Sequence, residues 1–238
     1  MPGNVFLRHE LKYLLDEDKK KLVMDILPLH MTLDSYGKSE IRSLYFDTDD
    51  YLLIRRSIQK PIYKEKLRLR SYGESKSDDP VFVELKRKYN SVVYKRRSKM
   101  TEAEALFWLT ERKIHHEETQ ILREIEYFLS LYPALSPKMF VSYDRMAFYD
   151  KGGSDLRITF DDNILARDEN LTLEGEAYGT TLLDQGMTLM EIKCSGGMPL
   201  WLTRLLSEAR IYKTSFSKYG AAYKNIILNE NRRVYLNV

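Results

Sequence analysis

Apolar and polar residues alternate with period two in many short runs of this chain, and the runs are rich in Tyr, Val, Ile and Phe, as half-buried strands require. Strands are expected over approximately Val5 to Tyr13, Ile41 to Phe46, Ile62 to Tyr72, Val81 to Lys88, Val92 to Lys99, Lys138 to Asp150, Leu156 to Phe160 and Thr188 to Cys194. Turn signals separate several of them: Tyr72-Gly73 with the polar run to Pro80, Tyr89-Asn90, and Lys151-Gly152-Gly153. Helical patterns fill the gaps. Thr101-x-x-Glu104 reads as a capping box leading into Leu106, Phe107, Trp108 and Leu109. Other helices are expected over Asp16 to Leu27, Glu117 to Tyr132, Pro199 to Ala209 and Ser217 to Leu228. Asp168 to Gln185, with Gly175, Gly179 and few apolar residues, reads as a long surface loop.

Strands interleaved with helices place the chain in the α+β class. Its 238 residues suffice for one β-rich domain over 1–238. With 43% hydrophobic and 31% charged residues, disorder is not the expectation. A net charge of +3 implies by itself no nucleic-acid or membrane partner. The single cysteine, Cys194, excludes an internal disulfide and any multi-cysteine zinc site and suits a reducing cytoplasm. It shares the apolar parity of Ile192, as an inert core thiol would. No stretch of about 18 apolar residues occurs, so the expectation is a chain that is neither exported nor membrane-spanning.

The charges carry more information than their sum. Residues two apart on a strand share a face, so Lys66, Arg68 and Arg70 point one way and Leu67 and Leu69 the other. The same parity aligns Glu84, Lys86 and Lys88 against Val83 and Leu85, and it recurs in Glu10 with Lys12, Lys95 with Arg97, Tyr143 with Arg145, Arg157 with Thr159 and Asp161, and Glu191 with Lys193. These faces could be the solvated side of an open antiparallel sheet. A solvated face mixes both signs of charge, however, whereas Lys and Arg dominate here on nearly every strand. Crowded cations repel unless an anion screens them. If the antiparallel sheet closes into a β-barrel, the charged faces line a tunnel with helices packed outside and at the ends, a cradle for a linear phosphate chain. The few carboxylates among the cations, Glu191, Glu10 and Glu84, could hold Mg²⁺ or Mn²⁺ or pair with the cations.

RHELKY at Arg8 to Tyr13, SLYFDT at Ser43 to Thr48, KLRLRSYG at Lys66 to Gly73, VFVELKRK at Val81 to Lys88, YKRR at Tyr94 to Arg97, VSYDR at Val141 to Arg145, LRITFDD at Leu156 to Asp162, MEIK at Met190 to Lys193 and FSKY at Phe216 to Tyr219 occur in this order. Together they resemble the VTC (vacuolar transporter chaperone) domain, the polyphosphate polymerase branch of the triphosphate tunnel metalloenzymes. Arg8 stands where the broader superfamily's E-x-E-x-K has its first Glu, a departure that speaks against a thiamine-triphosphatase or adenylate-cyclase type member. The resemblance implies phosphate binding by Lys12, Arg68, Arg70, Lys86, Lys95, Arg145, Arg157 and Lys193, a metal on Glu191, base stacking on Tyr143, and phosphate contacts from Ser217 and Lys218. Strand parity adds Lys66, Lys88 and Arg97 to the substrate-binding set and Glu10 to the metal ligands. Eukaryotic relatives of the VTC type carry an SPX domain and transmembrane helices; neither is in this sequence, so membrane-coupled translocation is not expected, and a membrane partner that receives the polymer is left open.

The expected activity is transfer of the γ-phosphate of ATP to a growing polyphosphate chain, with Arg68, Arg70, Lys86, Arg145, Arg157 and Lys218 as the catalytic group. A hydrolase of triphosphate or polyphosphate using the same cradle, and a non-catalytic polyphosphate or nucleotide sensor, are the alternatives. An RNA-binding sheet is disfavoured because the cationic strands lack exposed aromatics on which bases would stack. His9, His30, His115 and His116 fall at no metal or triad spacing, no G-x-S-x-G occurs, and Ser195-Gly196-Gly197 without a following Walker lysine reads as a plain turn.

Overall fold

A computed structural model describes residues 9–90, 92–113 and 119–229. In chain order the elements are β1 (His9–Leu15), α1 (Glu17–His30), β2 (Met31–Asp47), α2 (Leu52–Ile58), β3 (Tyr63–Tyr72), β4 (Pro80–Tyr89), β5 (Val92–Thr101), α3 (Glu102–Glu111), α4 (Gln120–Leu131), β6 (Ser136–Asp150), β7 (Arg157–Arg167), β8 (Thr180–Thr181), β9 (Thr188–Cys194), α5 (Leu200–Glu208), β10 (Lys213–Thr214) and α6 (Lys218–Ala222), which a π-helical stretch, Tyr223–Leu228, continues. The class is α+β with a mainly antiparallel sheet. The start of the expected first strand, Arg8, Glu117, and His115 and His116 lie outside the described residues.

Two compact units make up the chain. The first comprises Met1–Glu40, Tyr143–Ile164 and Leu183–Ser217, the second Ile41–Ser142, Leu165–Leu182 and Lys218–Val238, so β2, β6 and β7 contribute to both. In the first unit β1 pairs antiparallel with β10 and β9, and β9 with β7. Leu11, Tyr13 and Leu15 of β1, Ile158 and Phe160 of β7, and Met190, Ile192 and Cys194 of β9 share one face, and Val23, Leu27, Leu202, Leu205 and Leu206 from α1 and α5 join their core. Asp16 caps α1 by accepting from the Lys19 amide at 2.8 Å. Cys194 lies in this core, where burial pushes its thiol up.

In the second unit β2, β3, β4 and β5 pair antiparallel in that order. Leu67 and Leu69 of β3, Val81, Val83 and Leu85 of β4, and Met100 of β5 face a core completed by Trp108 and Leu109 of α3 and Leu122, Ile125, Phe128 and Leu129 of α4. The capping box at Thr101 and Glu104 is present. Thr119 caps α4 with a single bond, its side chain accepting from the Leu122 amide. The apolar parity therefore sends the cationic parity of β3 to β5 to the side away from α3 and α4.

Three expectations change. The pairing of each unit ends in an edge strand, β10 in one and β5 in the other, so hydrogen bonding among the described residues leaves each unit's stretch of sheet open and a closed barrel is not established. Asp168 to Gln185 is not a simple surface loop. Leu173 is fully buried, Thr180–Thr181 pairs with β7, and the loop carbonyls find buried donors: Arg42 donates to Leu173 O at 2.8 Å and Gly175 O at 2.5 Å, and Arg167 to the carbonyls of Asn170, Thr172 and Tyr178. Finally, α2 was not expected. Its N-terminus is satisfied from a distance by Asp47, whose carboxylate accepts from the Leu53 and Ile54 amides at 2.8 and 2.9 Å.

Candidate functional site

On the side of β3, β4 and β5 turned away from α3 and α4 the register sets like charges abreast. Lys64 pairs with Lys88, Lys66 with Lys86 and then Lys95, Arg68 with Glu84 and then Arg97, and Arg70 with Phe82 and then Lys99. Cross-strand partners share a face, so nine cationic side chains stand against one carboxylate, Glu84. That carboxylate is buried and four cations converge on it: Arg68 and Lys95 each at 2.6 Å, Arg97 at 3.5 Å and Arg70 at 3.9 Å. Burial alone would raise the Glu84 carboxyl; Arg68, Arg70 and Lys95 outweigh it and hold it well below the usual carboxylate range. Burial of the Lys95 ammonium, helped by Arg68 and Arg70 and opposed by Glu84, pushes it down to about 8, although 45% of its side chain remains exposed.

The cluster is braced from β2. Tyr45 OH accepts from Arg68 Nη1 at 3.2 Å, and Ser43 Oγ from Arg70 Nε at 3.4 Å. The Tyr45 ring stacks on Tyr219 of α6 with centroids 4.6 Å apart, and Tyr219 OH donates to the buried Asp47 at 2.9 Å. Asp47 and Tyr219 thus join α6 to β2, the strand whose Tyr45 braces Arg68. Burial raises both groups, for Tyr219 far above the ordinary phenol.

The first unit carries a second charged face. Glu10, Lys193 and Arg157 stand abreast on β1, β9 and β7, with Lys12, Glu191 and Thr159 one step further on. Glu191 is approached by Lys12 and Lys193 at 3.1 Å and by Arg145 at 3.5 Å. Arg145 grips Asp161 through two bonds, 2.6 and 2.7 Å, the fork geometry that suits guanidinium. Burial opposes the charge on Lys12, but Glu191 and Glu10 raise its pKa above the ordinary lysine value; burial lowers that of Lys193. Lys12 Nζ also donates to Phe216 O at 3.0 Å.

The residues anticipated from sequence therefore fall into two groups. Lys66, Arg68, Arg70, Lys86, Lys88, Lys95 and Arg97 share the β3–β5 face, and Glu10, Lys12, Arg145, Arg157, Glu191 and Lys193 the first-unit face. Lys218 is buried at the start of α6, with Ser217 just before it. Tyr143 is only 3% exposed, and the Arg145 guanidinium lies 5.1 Å from its ring centre. Sequence reasoning passed over Lys64, Lys99, Tyr45, Asp47 and Tyr219. The two lysines extend runs already recognised, whereas the other three are joined by tertiary contacts no local pattern announces. It also expected no exposed aromatic on the cationic strands. Tyr72, at the end of β3 where the strand leaves the sheet, is 55% exposed on that face.

Among the described residues no group of three or more His, Cys, Asp or Glu side chains could hold a metal ion alone. Glu10 and Glu191 do both reach one cation, the Lys12 ammonium, at 3.4 and 3.1 Å. Two hard carboxylates on a common charge suit a divalent ion that completes its sphere with substrate phosphates, the usual habit of Mg²⁺. None of the described helices is long and apolar enough to cross a membrane.

No curated protein sequence matches the chain. In fold it is similar to a candidate adenylate cyclase from Bacillus halodurans (TM-score 0.55, 15% identity, 87% of this chain and 92% of that one). It is also similar to a Hippeastrum candidate adenylyl cyclase whose structure is described as revealing a dominant triphosphatase activity (TM-score 0.50, 15% identity, 91% and 95% covered). At such identity the likeness concerns the fold. The model of one family, described as VTC domain, matches residues 7–227, and the chain belongs to the VTC domain family.

Proposed function

We propose that this protein is an ATP-dependent polyphosphate polymerase, transferring the γ-phosphate of ATP to the end of a polyphosphate chain. The observation that carries this reading is the charge on the β3–β5 face, where Arg68, Arg70, Lys95 and Arg97 surround the single carboxylate of Glu84. An excess of cations held this close is stabilised by a polyanion, and phosphates in a row supply one with matching spacing and oxygen acceptors. Membership of the VTC domain family supports the substrate class. Closure of the strands into a barrel, expected from the sequence, belongs to this proposal.

In the reaction an oxygen of the terminal chain phosphate attacks the γ-phosphorus of ATP, the bond from that phosphorus to the β-bridging oxygen breaks, and ADP departs with the electron pair. The nucleophile is largely ionised near neutral pH, so no protein base is needed. Catalysis then reduces to alignment and neutralisation of developing charge. Arg68 and Arg70 would grip the transferring group, with Lys66, Lys86, Lys88, Lys95 and Arg97 along the chain; Arg145, Arg157, Lys12, Lys193, Ser217 and Lys218 are proposed as further phosphate contacts. Glu191 and Glu10 would hold Mg²⁺ or Mn²⁺, which when bound neutralises phosphate charge.

A metal-dependent triphosphatase or polyphosphatase is the second reading, favoured by the activity described for the Hippeastrum protein. Incubation with γ-labelled ATP and Mn²⁺ or Mg²⁺, followed by sizing of the labelled product, separates the two. Acid-labile polymer with ADP is the expected result. Orthophosphate alone would establish hydrolysis, and tight binding with no metal-dependent turnover would establish a sensor.

A further inference from the structure

We infer that Tyr45, Tyr219 and Asp47 are positioning residues of the phosphate site, a buried relay of two rings and one carboxylate that sets the plane of the Arg68 guanidinium. This rests on the phosphate cradle proposed above and adds to it three side chains that act on the phosphate through Arg68.

Tyr45 of β2 stands opposite Arg68 of β3 in the register, so its ring lies on the charged face. Its hydroxyl accepts from Arg68 Nη1 at 3.2 Å, while the Glu84 carboxylate accepts from Nε at 2.8 Å and lies 2.6 Å from Nη2. Each nitrogen of the planar guanidinium thus meets a partner, and the plane is fixed from two sides. Attraction of a polyanion alone would need none of this, since Lys86 and Lys95 act as point charges whichever way they turn. Two parallel hydrogen bonds to one phosphate, in contrast, depend on the plane of the fork.

Tyr45 is held in turn. The Tyr219 ring stacks on it with planes 16° from parallel, and Tyr219 OH donates to Asp47. Asp47 is fully buried, and the amides of Thr48, Leu53 and Ile54 hold its carboxylate at 2.8 to 2.9 Å, so α2 anchors the far end of the relay. A pair of phenylalanines would bury the same apolar rings. What the two hydroxyls add is a hydrogen bond at either end of the stack, one on a carboxylate whose burial is itself costly. A helix cap for α2 requires neither ring, whereas a fixed guanidinium requires both. Tyr219 also directly follows Lys218, so one short helix carries a proposed phosphate contact and the ring that orients another.

Calorimetric titration of inorganic tripolyphosphate into wild type, Tyr45→Phe, Tyr219→Phe and Arg68→Lys, and into each tyrosine variant combined with Arg68→Lys, forms a double-mutant cycle. Both tyrosine substitutions keep the rings, and each should weaken tripolyphosphate binding about fivefold, the worth of a hydrogen bond of ordinary net strength. Arg68→Lys keeps the charge and removes the plane that the relay sets. In that background the same two substitutions should change the affinity by less than about twofold, which a merely structural role would not produce. Losses of equal size in both backgrounds, or unchanged affinity in Tyr45→Phe, overturn the relay while leaving the cradle standing. Should Tyr219→Phe fail to fold, Tyr45→Phe decides alone, because it leaves the bond from Tyr219 to Asp47 in place. Wild type that does not bind tripolyphosphate overturns the cradle, and the relay with it.

Discussion

Replacing Glu84 with Gln keeps the shape of the side chain and removes the one negative charge on the β3–β5 face. Arg68, Arg70, Lys95 and Arg97, which now meet the carboxylate at 2.6 to 3.9 Å, would then face one another around a neutral amide. Deleting one partner of a buried ion pair costs about 3–5 kcal/mol. Water reaches Lys95 and Arg97 and screens part of the repulsion, which places the expected loss near the lower end, about 3 kcal/mol. In thermal unfolding that is a fall of roughly 6 to 12 °C for a chain of this size. The same substitution leaves the face hungrier for anions. Tripolyphosphate at a hundred times its dissociation constant stabilises a protein by about 2.7 kcal/mol, and each tenfold gain in affinity adds about 1.4 kcal/mol. Urea unfolding of wild type and E84Q, with and without tripolyphosphate at equal concentration, should show the variant weaker alone and gaining more from the ligand by at least ~1 kcal/mol. A variant as stable as wild type, or one that gains no more than wild type, would refute the picture of four cations held in check by one carboxylate.

Arg68→Ala should cut ATP turnover about a hundredfold or more while circular dichroism and urea unfolding stay near wild type, because Glu84 keeps three other cations. Glu191→Gln should abolish metal-dependent turnover yet retain tripolyphosphate binding, since the cations of the β3–β5 face are untouched; full turnover would remove Glu191 from the metal site. Lys95, pushed down to about 8, loses its proton as pH rises through that value, so tripolyphosphate affinity should fall between about pH 7 and 9 and Lys95→Arg should flatten the fall. The sign for stability is opposite: between the lowered folded value and the unfolded one the unfolded chain binds more protons, so in the absence of ligand Lys95 makes stability rise with pH. Gly179→Ala should destabilise by more than ~2 kcal/mol, because its backbone has φ +139° and the new Cβ would meet Ala166 O at 2.3 Å.

Much of this could be read from residue order. Period-two alternation located the strands of both charged faces, because each strand buries one side against helices and exposes the other: Leu67 and Leu69 turned inward fix where Arg68 and Arg70 must point. The alternation says nothing about Met31 to Glu40, the first part of β2, where few residues are buried and there is no apolar parity to read. Nor does it say what a charge on the face meets. Glu84 had the pattern of a metal ligand as much as of an ion-pair partner, and the choice was made by Arg97 and Lys95 on β5, which come beside it only once β4 and β5 pair. The burial of Leu173 depends on Arg42, more than a hundred residues earlier in the chain. Asp47, α2 and Tyr219 form one assembly from three places in the sequence, and a seven-residue helix with a remote cap leaves too short an imprint to recognise.

Whether the β3–β5 face holds a linear phosphate chain is decided by a crystal structure of the protein with inorganic tripolyphosphate. Phosphate oxygens should lie within hydrogen-bonding distance of Arg68, Arg70 and Lys95, arrayed along the strands. Tripolyphosphate bound elsewhere, with these side chains still closed around Glu84, would contradict it.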